Sequence, residues 1–354
     1  MKLVFQRYKN PTFFLSLLLV LIFGLCALRS GAVEVNWNHW SKLFAFGHSL
    51  LFSEGVTHPL DGETYVLWYL RIPRVLLGVF VGASLGLSGA LVQGLFRNPL
   101  ADPSLLGVTT GAACAAALTI VLISKQSMLF SFEVRVWLLP FVSFMGAFLT
   151  CMFLNIGASW LMPGSIAGLL LLGIALNALG VAVIGFCTYL ATDEQLRSLS
   201  FWTLGSLAGA NWTIVPGLGI VLVAVYLWCR TQAQQLNALN LGEATAASLG
   251  VLVHRLRWTV SVMVALLAGV SVAFCGVIGF IGLIAPHLAR AFVGADMRAL
   301  LPISMLLGAL LMLTADTLAR TIVIPAEIPV GIFTALLGGP FLMLLLHTKR
   351  HRVE

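Results

Sequence analysis

Long apolar runs of membrane-spanning length dominate the hydrophobic pattern of this chain of 354 residues. A helix needs about 20 consecutive apolar residues to cross the hydrocarbon core of a bilayer. Such runs, the eighth of them short, lie at residues 11–32, 75–96, 104–124, 135–156, 164–190, 213–229, 257–278, 279–293, 300–323 and 329–347. The pattern predicts an all-α membrane protein, a polytopic bundle of about ten transmembrane helices forming a single domain over residues 1–354. An extra half-helix at 197–209 is expected near the outer surface.

The polar segments between the runs predict the orientation of the bundle. Residues 1–10 carry three basic side chains ahead of the first run, and the tail 348–354 is again basic. Residues 33–65 carry four acidic side chains against one lysine. Because cytoplasmic loops of membrane proteins are enriched in Lys and Arg, we expect both termini in the cytoplasm and residues 33–65 outside.

The stretch 239–256 is too short and too polar to span a bilayer, although it lies between two spans. Leu241, Gly242 and Glu243 open it, and Gly250 stands where a glycine commonly ends a helix. A carboxylate in the first turn is favoured by the helix dipole, and it can also meet a basic group on a partner. The stretch therefore predicts a short capped helix outside the membrane that another protein recognises.

A spaced pattern of small residues occurs twice along the chain. Gly82, Ser84, Gly89 and Pro99 match Gly269, Ser271, Gly276 and Pro286 without a gap. The ten-span count makes the two helices antiparallel, which is the pattern of an inverted repeat. Chance agreement is the alternative, since small residues are common in transmembrane helices.

Composition supports the membrane class and argues against several functions. The chain is 60% hydrophobic and 9% charged, with a mean hydropathy of +1.01, which is too apolar for a soluble domain of this size. The net charge of +7 forms no patch with interleaved aromatic residues, so no nucleic acid partner is expected. The cysteines and histidines show no metal-ligand spacing, and the sequence has no catalytic or nucleotide-binding motif. We expect neither a metal site nor catalysis, and if the function of this chain depends on ATP, we expect another chain to bind it.

Several charged residues lie where the orientation rule does not place them. Arg71 and Arg74 fall at the outer end of the second span, and Arg320 falls at the outer end of the ninth. They could dock an acidic partner, because a guanidinium holds a carboxylate through two hydrogen bonds, or they could snorkel to lipid headgroups. Asp316 lies within the ninth span, one helical turn before Arg320, which favours a satisfied i,i+4 pair over a proton relay.

Three residues are assigned to a translocation pathway. Asn177 is polar in the otherwise apolar fifth span, so it either lines a central cavity or makes an interhelical hydrogen bond. Gly89 and Gly276, the matching glycines of the repeated pattern, are assigned to the same pathway.

Four motifs along the chain resemble the permease subunits of bacterial ABC importers for ferric siderophores, haem and cobalamin. They are GASLGLSGALVQGLFRNPLADPSLLGVTTGA at 82–112, LGEATAASLGV at 241–251, GFIGLIAPHLAR at 279–290, and ADTLAR followed by AEIPVG at 315–331. The resemblance runs from about residue 66 to residue 348 and keeps the family's order of motifs.

This resemblance implies a set of partners and sites. It implies a homodimer in the bacterial inner membrane, two cytoplasmic ATPase subunits that bind ATP and magnesium, and a periplasmic binding protein, with no cofactor on this chain. It places Arg71, Arg74 and Arg320 against acidic residues of the binding protein. The segment expected to couple to the ATPase comprises Leu241, Gly242, Glu243, Ala244, Ser248, Leu249 and Gly250.

The resemblance also favours a cargo. QGLFRNPLADPSLLG at 93–107 and LLLGIALNALG at 170–180 are most similar to haem permeases, so import of haem or another iron chelate is the predicted function. A ferric siderophore or cobalamin permease of the same family is the alternative. A gradient-driven secondary transporter would need a pair of pathway acids and no docking helix, and only Asp316 qualifies. An intramembrane enzyme is disfavoured by the missing catalytic residues.

Overall fold

The computed structural model describes residues 11–31, 61–123, 131–162 and 165–350, and these residues form helices joined by turns and short extended segments. In chain order the helices are α1 Pro11–Arg29, α2 Gly62–Phe96, α3 Val108–Leu118, α4 Phe132–Leu161, α5 Ile166–Leu190, α6 Asp193–Leu204, α7 Ile214–Asn240, α8 Glu243–Ser248, α9 Val253–Cys275, α10 Ile281–Val293, α11 Met297–Thr321 and α12 Val330–Arg350. The predicted cytoplasmic segment 1–10, most of the predicted outer loop 33–65 and the last four residues of the basic tail lie outside the described residues.

The number of membrane-crossing helices agrees with the sequence prediction. Seven described helices are long and apolar enough to cross a membrane, namely α1, α2, α4, α5, α7, α9 and α11. Three shorter apolar helices, α3, α10 and α12, complete the ten. The predicted all-α, ten-helix fold class is therefore confirmed.

The predicted half-helix at 197–209 overlaps α6, which begins four residues earlier, at Asp193, and ends five residues earlier, at Leu204. Its first turn carries two acids, and Thr192 and Gln195 form a reciprocal capping box, which fixes the start of the helix. The charged first turn hides this start from a hydropathy pattern.

Helix ends differ most from the prediction where a helix continues beyond its apolar run. α2 begins at Gly62 rather than near residue 75, and α7 continues to Asn240 rather than ending near residue 229. Polar contacts hold both extensions: the Trp212 indole donates to the Trp68 carbonyl at 2.8 Å, and the Asn237 amide donates to Asp296 at 2.8 Å. Hydropathy marks only the part of a helix that lies in lipid, so it misses such extensions.

Helix α2 forms the centre of the bundle. Its most apolar window is 83% buried, against 11% for α5. It packs tightly on α11, where a Cβ at Gly82 would overlap the Gly308 carbonyl oxygen and a Cβ at Gly86 would overlap the Ser304 carbonyl oxygen. Small residues let these two backbones touch, which is how transmembrane helices commonly gain packing energy.

The repeated pattern of glycines does not mark equivalent conformations. Gly89 lies in the middle of α2, whereas Gly276 follows the end of α9 with a φ of +69°. Pro99 follows α2, whereas Pro286 lies inside α10. The matching residues thus serve different local structures, and an inverted repeat of whole helices stays a prediction.

Replacing Gly86 with Ala should destabilise the protein by about 1–3 kcal/mol, because the new methyl group meets a backbone oxygen that cannot rotate away. Thermal unfolding of the purified protein in detergent measures this. Gly185→Ala on α5 is the matched control, since no heavy atom lies within 4 Å of its would-be Cβ. Equal stability of the two variants would contradict the close α2–α11 packing.

Candidate coupling segment and arginine cluster

The short helix α8 is fixed by a glycine at each end. Gly242 begins it with a φ of +118°, and Gly250 follows it with a φ of +81°. The Gly250 amide donates to the Ala247 carbonyl at 2.9 Å and the Val251 amide donates to the Ala246 carbonyl at 3.0 Å, which is the Schellman pattern of a helix end. The predicted capped helix therefore exists, but it covers only Glu243–Ser248, because the flanks of 239–256 belong to α7 and α9.

Glu243 is engaged within its own chain. Its carboxylate forms an ion pair with Arg257 of α9, and it lies 3.8 Å from a guanidinium nitrogen of Arg97, the residue that ends α2. Ala246, the buried residue of α8, packs inward on the same short helix. Glu243 thus fastens α8 to α9 and to the residue that follows α2, and a further contact of its carboxylate with a partner stays a prediction.

Three leucines that flank α8 are exposed. Leu241, Leu249 and Leu252 are 71%, 64% and 67% exposed. Ala244 and Ser248 are also exposed, and the Ser248 hydroxyl donates back to the Ala244 carbonyl. Exposed leucines next to a polar segment are typical of a protein-binding surface. The sequence pattern indicated two of the three leucines and missed Leu252, although it lies in the same stretch.

At the other end of α2, Arg71 and Arg320 are buried, at 5% and 7% exposure. Arg71 donates to the carbonyls of Leu28 and Arg29 at 2.9 and 3.0 Å, and Arg320 donates to the carbonyls of Ser30, at 2.8 Å, and Ala27. These carbonyls belong to the C-terminal turn of α1 and the residue that follows it, where the helix leaves acceptors unsatisfied and carries negative partial charge. The expectation of exposed arginines, whether docking or snorkelling, is therefore wrong for these two side chains.

Asp316 and Arg74 form the centre of this cluster. Nε of Arg74 donates to both oxygens of Asp316 at 3.1 and 3.2 Å, and Nη2 donates to Oδ1 at 3.0 Å. The expected i,i+4 pair with Arg320 is present at 3.6 Å, so Asp316 is shared by two arginines. Nη1 of Arg74 donates to Glu327 at 2.8 and 2.9 Å. We call Arg71, Arg74, Asp316, Arg320 and Glu327 the arginine cluster.

The predicted pathway residues do not form a common surface. A Cβ at Gly89 would overlap the Gly282 carbonyl, and one at Gly276 would overlap the Trp202 carbonyl, so both glycines are buried helix contacts. Their assignment to a pathway is corrected accordingly. The Asn177 amide donates to the Ser104 carbonyl at 3.5 Å, while its side-chain oxygen is buried and has no hydrogen-bond partner among the described residues. A cavity-lining role for Asn177 stays a prediction beside this interhelical contact.

The fold defines a class of protein: a multi-pass α-helical permease with a short folded helix, α8, between two of its spans. The chain belongs to the FecCD transport family, whose family model matches residues 18–348.

Related proteins agree with this family assignment. The chain is 41% identical to the hemin transport system permease protein HmuU of Yersinia pestis, with 95% of each chain covered. It is 39% identical to the vitamin B12 import system permease protein BtuC of Vibrio cholerae, covering 96% of this chain and 95% of that one. A solved structure assigned to the metal-chelate type of ABC transporter, in an inward-facing conformation, is 32% identical with a TM-score of 0.78, covering 95% of this chain and 98% of that chain.

Replacing Arg71 or Arg320 with Gln should destabilise the protein by about 1.5–3 kcal/mol, because each variant removes charged hydrogen bonds to the end of α1. Unfolding in detergent measures the loss. Arg298→Gln is the matched control, since that arginine is exposed, and it should change stability by less than about 0.5 kcal/mol. Indistinguishable stabilities for all three variants would refute the capping role.

Proposed function

We propose that this chain is the membrane-spanning subunit of an ATP-driven importer. It acts as a homodimer with two ATPase subunits that bind ATP and magnesium, and it holds no cofactor itself. Both termini lie in the cytoplasm, and the dimer sits in the inner membrane of a bacterium. A periplasmic binding protein delivers the cargo at the end of the bundle that carries the arginine cluster.

The coupling segment carries this proposal. α8 is a folded helix outside the spans. An ion pair between Glu243 and Arg257 fastens it to α9, and three exposed leucines flank it in the chain. A partner that binds these leucines pushes on α8, and the Glu243 contacts pass the force to α9 and to the end of α2. A gradient-driven transporter works without an ATPase and needs no such docking helix.

Haem is the favoured cargo. Support comes from the two stretches most similar to haem permeases and from the 41% identity to a hemin permease, against 39% for a vitamin B12 permease. These two values are close, so cobalamin is the second candidate, with ferric siderophores third. Gradient-driven transport is disfavoured because Asp316, the one acid proposed for it, is neutralised by Arg74 and Arg320.

Transport by vesicles tests the function. The permease and its ATPase subunit, reconstituted together, should accumulate haem inside vesicles only when ATP is on the ATPase side and a binding protein is on the other side. Hydrolysis should rise when the binding protein is loaded. Uptake of cobalamin in preference to haem would reassign the cargo, and uptake without the ATPase would reject the proposal.

The variant Leu249→Ser provides the test of the coupling segment. It removes an exposed leucine at the expected interface and should weaken binding of the ATPase by about 1–2 kcal/mol while the permease stays folded. Leu204→Ser is the matched control, since this partly exposed leucine ends α6 beside the opposite end of the bundle. Equal ATPase affinity for both variants would contradict a docking role for the leucines near α8.

A further inference from the structure

Glu327 is the exposed member of the arginine cluster. It lies on the segment between α11 and α12, and its side chain is 47% exposed, whereas those of Arg74 and Asp316 are 13% and 4% exposed. Three of the segment's other residues, Ile322, Val323 and Ile324, are exposed apolar side chains. The carboxylate of Glu327 is therefore the negative group of the cluster that an approaching protein meets first.

The two edges of the Arg74 guanidinium have different partners. Nε and Nη2 face the buried Asp316, at 3.0 to 3.2 Å. Nη1 faces both oxygens of Glu327, at 2.8 and 2.9 Å. The inner edge is fixed by a partner that cannot leave the core, while the outer edge is held by one that reaches solvent. A carboxylate from another protein can adopt the Glu327 position with the same hydrogen bonds.

Ion pairing makes such a replacement favourable. Arg74 pairs with both Asp316 and Glu327, while Asp316 is shared with Arg320, so release of Glu327 leaves Arg74 and Arg320 sharing the single charge of Asp316. A partly buried guanidinium that loses one of its two carboxylates is destabilised, because burial has already removed part of its hydration. An incoming carboxylate restores the lost ion pair as soon as Glu327 leaves.

We propose that Glu327 occupies the docking site of a carboxylate from the binding protein, and that docking exchanges one carboxylate for the other on Nη1 of Arg74. This inference rests on the proposed function and specifies how the arginine cluster receives its acidic partner. Glu327 is thus an internal competitor that keeps Nη1 of Arg74 paired until the partner arrives.

The exchange has a structural consequence because of where Glu327 is placed. The Ile328 amide donates to the Ala319 carbonyl at 3.1 Å, and the Val330 amide at the start of α12 donates to the Gly205 carbonyl at 3.0 Å. Gly331 packs so closely on Leu204 that a Cβ would overlap its carbonyl. These contacts do not involve Glu327, so its release frees only the residues before Ile328, while the start of α12 and its junction with α6 stay held.

The test uses a substrate-binding protein that stimulates ATP hydrolysis by the wild-type permease–ATPase complex. The affinity of this protein for the reconstituted complex is measured. The variant Glu327→Gln keeps the shape of the side chain and removes the competing charge. It should bind the protein about fivefold more tightly than the wild type, since an exposed ion pair no longer has to be broken. The control is Glu194→Gln, which removes an exposed acid of α6 and should leave the affinity unchanged.

The outcomes separate this inference from the function on which it rests. Unchanged or weaker binding by Glu327→Gln, with the wild-type complex still stimulated, overturns the exchange and leaves the importer intact. Equal tightening by both Gln variants overturns it too, because it would reflect only the total charge of that face. If no binding protein stimulates the wild-type complex, the proposed function fails and the exchange fails with it.

A spin label on Val323→Cys gives a second readout that does not depend on affinity. Val323 is 47% exposed and lies on the same segment as Glu327. Docking should raise the mobility of the label in the wild type, and Glu327→Gln should show high mobility before docking. The label is compared in the wild type and in Glu327→Gln, each with and without the binding protein. Equal mobility of the label in these four states would overturn the exchange even if affinities changed.

Discussion

The buried carboxylate of Asp316 is the constraint on which one end of the molecule depends. A carboxylate in a membrane-spanning helix is costly unless it is paired and hydrogen-bonded. Arg74 supplies three hydrogen bonds from α2, and Arg320 supplies a second charge from the same helix as Asp316. The arginines are then held where their remaining donors reach the end of α1 and Glu327. One buried acid thus fixes the mutual positions of α1, α2 and α11.

Helix α2 connects this cluster to the coupling segment. Arg74 lies in the first half of α2, and Arg97, which follows its last residue, lies 3.8 Å from Glu243. The helix between them is roughly 34 Å long, about the thickness of a bilayer's hydrocarbon core. Because Gly82 and Gly86 seat α2 directly on the backbone of α11, the helix cannot shift against α11 without breaking close contacts. The arginine cluster and α8 are therefore joined by one closely packed helix in the centre of the fold.

The sequence was sufficient for features that depend on local composition. Apolar runs predicted ten membrane helices, and the glycines at 242 and 250 predicted a capped helix, because each of these needs only neighbouring residues. Contacts between distant positions were missed. Arg74 and Asp316 are 242 residues apart, so nothing local distinguishes this pair from the i,i+4 pair that was expected. The burial of Arg71 likewise depends on the carbonyls of α1, which carry no sequence signal.

The glycines illustrate the same limit. Gly89 permits a helix contact and Gly276 permits a left-handed backbone, and one residue type serves both purposes. Spacing alone therefore matched two sites with different structures. Glu243 is a second example of this limit. The sequence placed it correctly in the first turn of a short helix, but it could not show that Arg97 and Arg257 of the same chain lie beside its carboxylate.

The most direct test of the central role of Asp316 is a double-mutant cycle on Arg74 and Asp316, measured as the free energy of unfolding in detergent. Arg74→Gln or Asp316→Asn alone should cost about 3–5 kcal/mol, because each leaves a buried charge without its main partner. The double variant should be destabilised by about 1–3 kcal/mol less than the sum of the two single variants. Strict additivity would mean that the two side chains are not coupled, and would contradict a structural role for Asp316 through its pairing with Arg74.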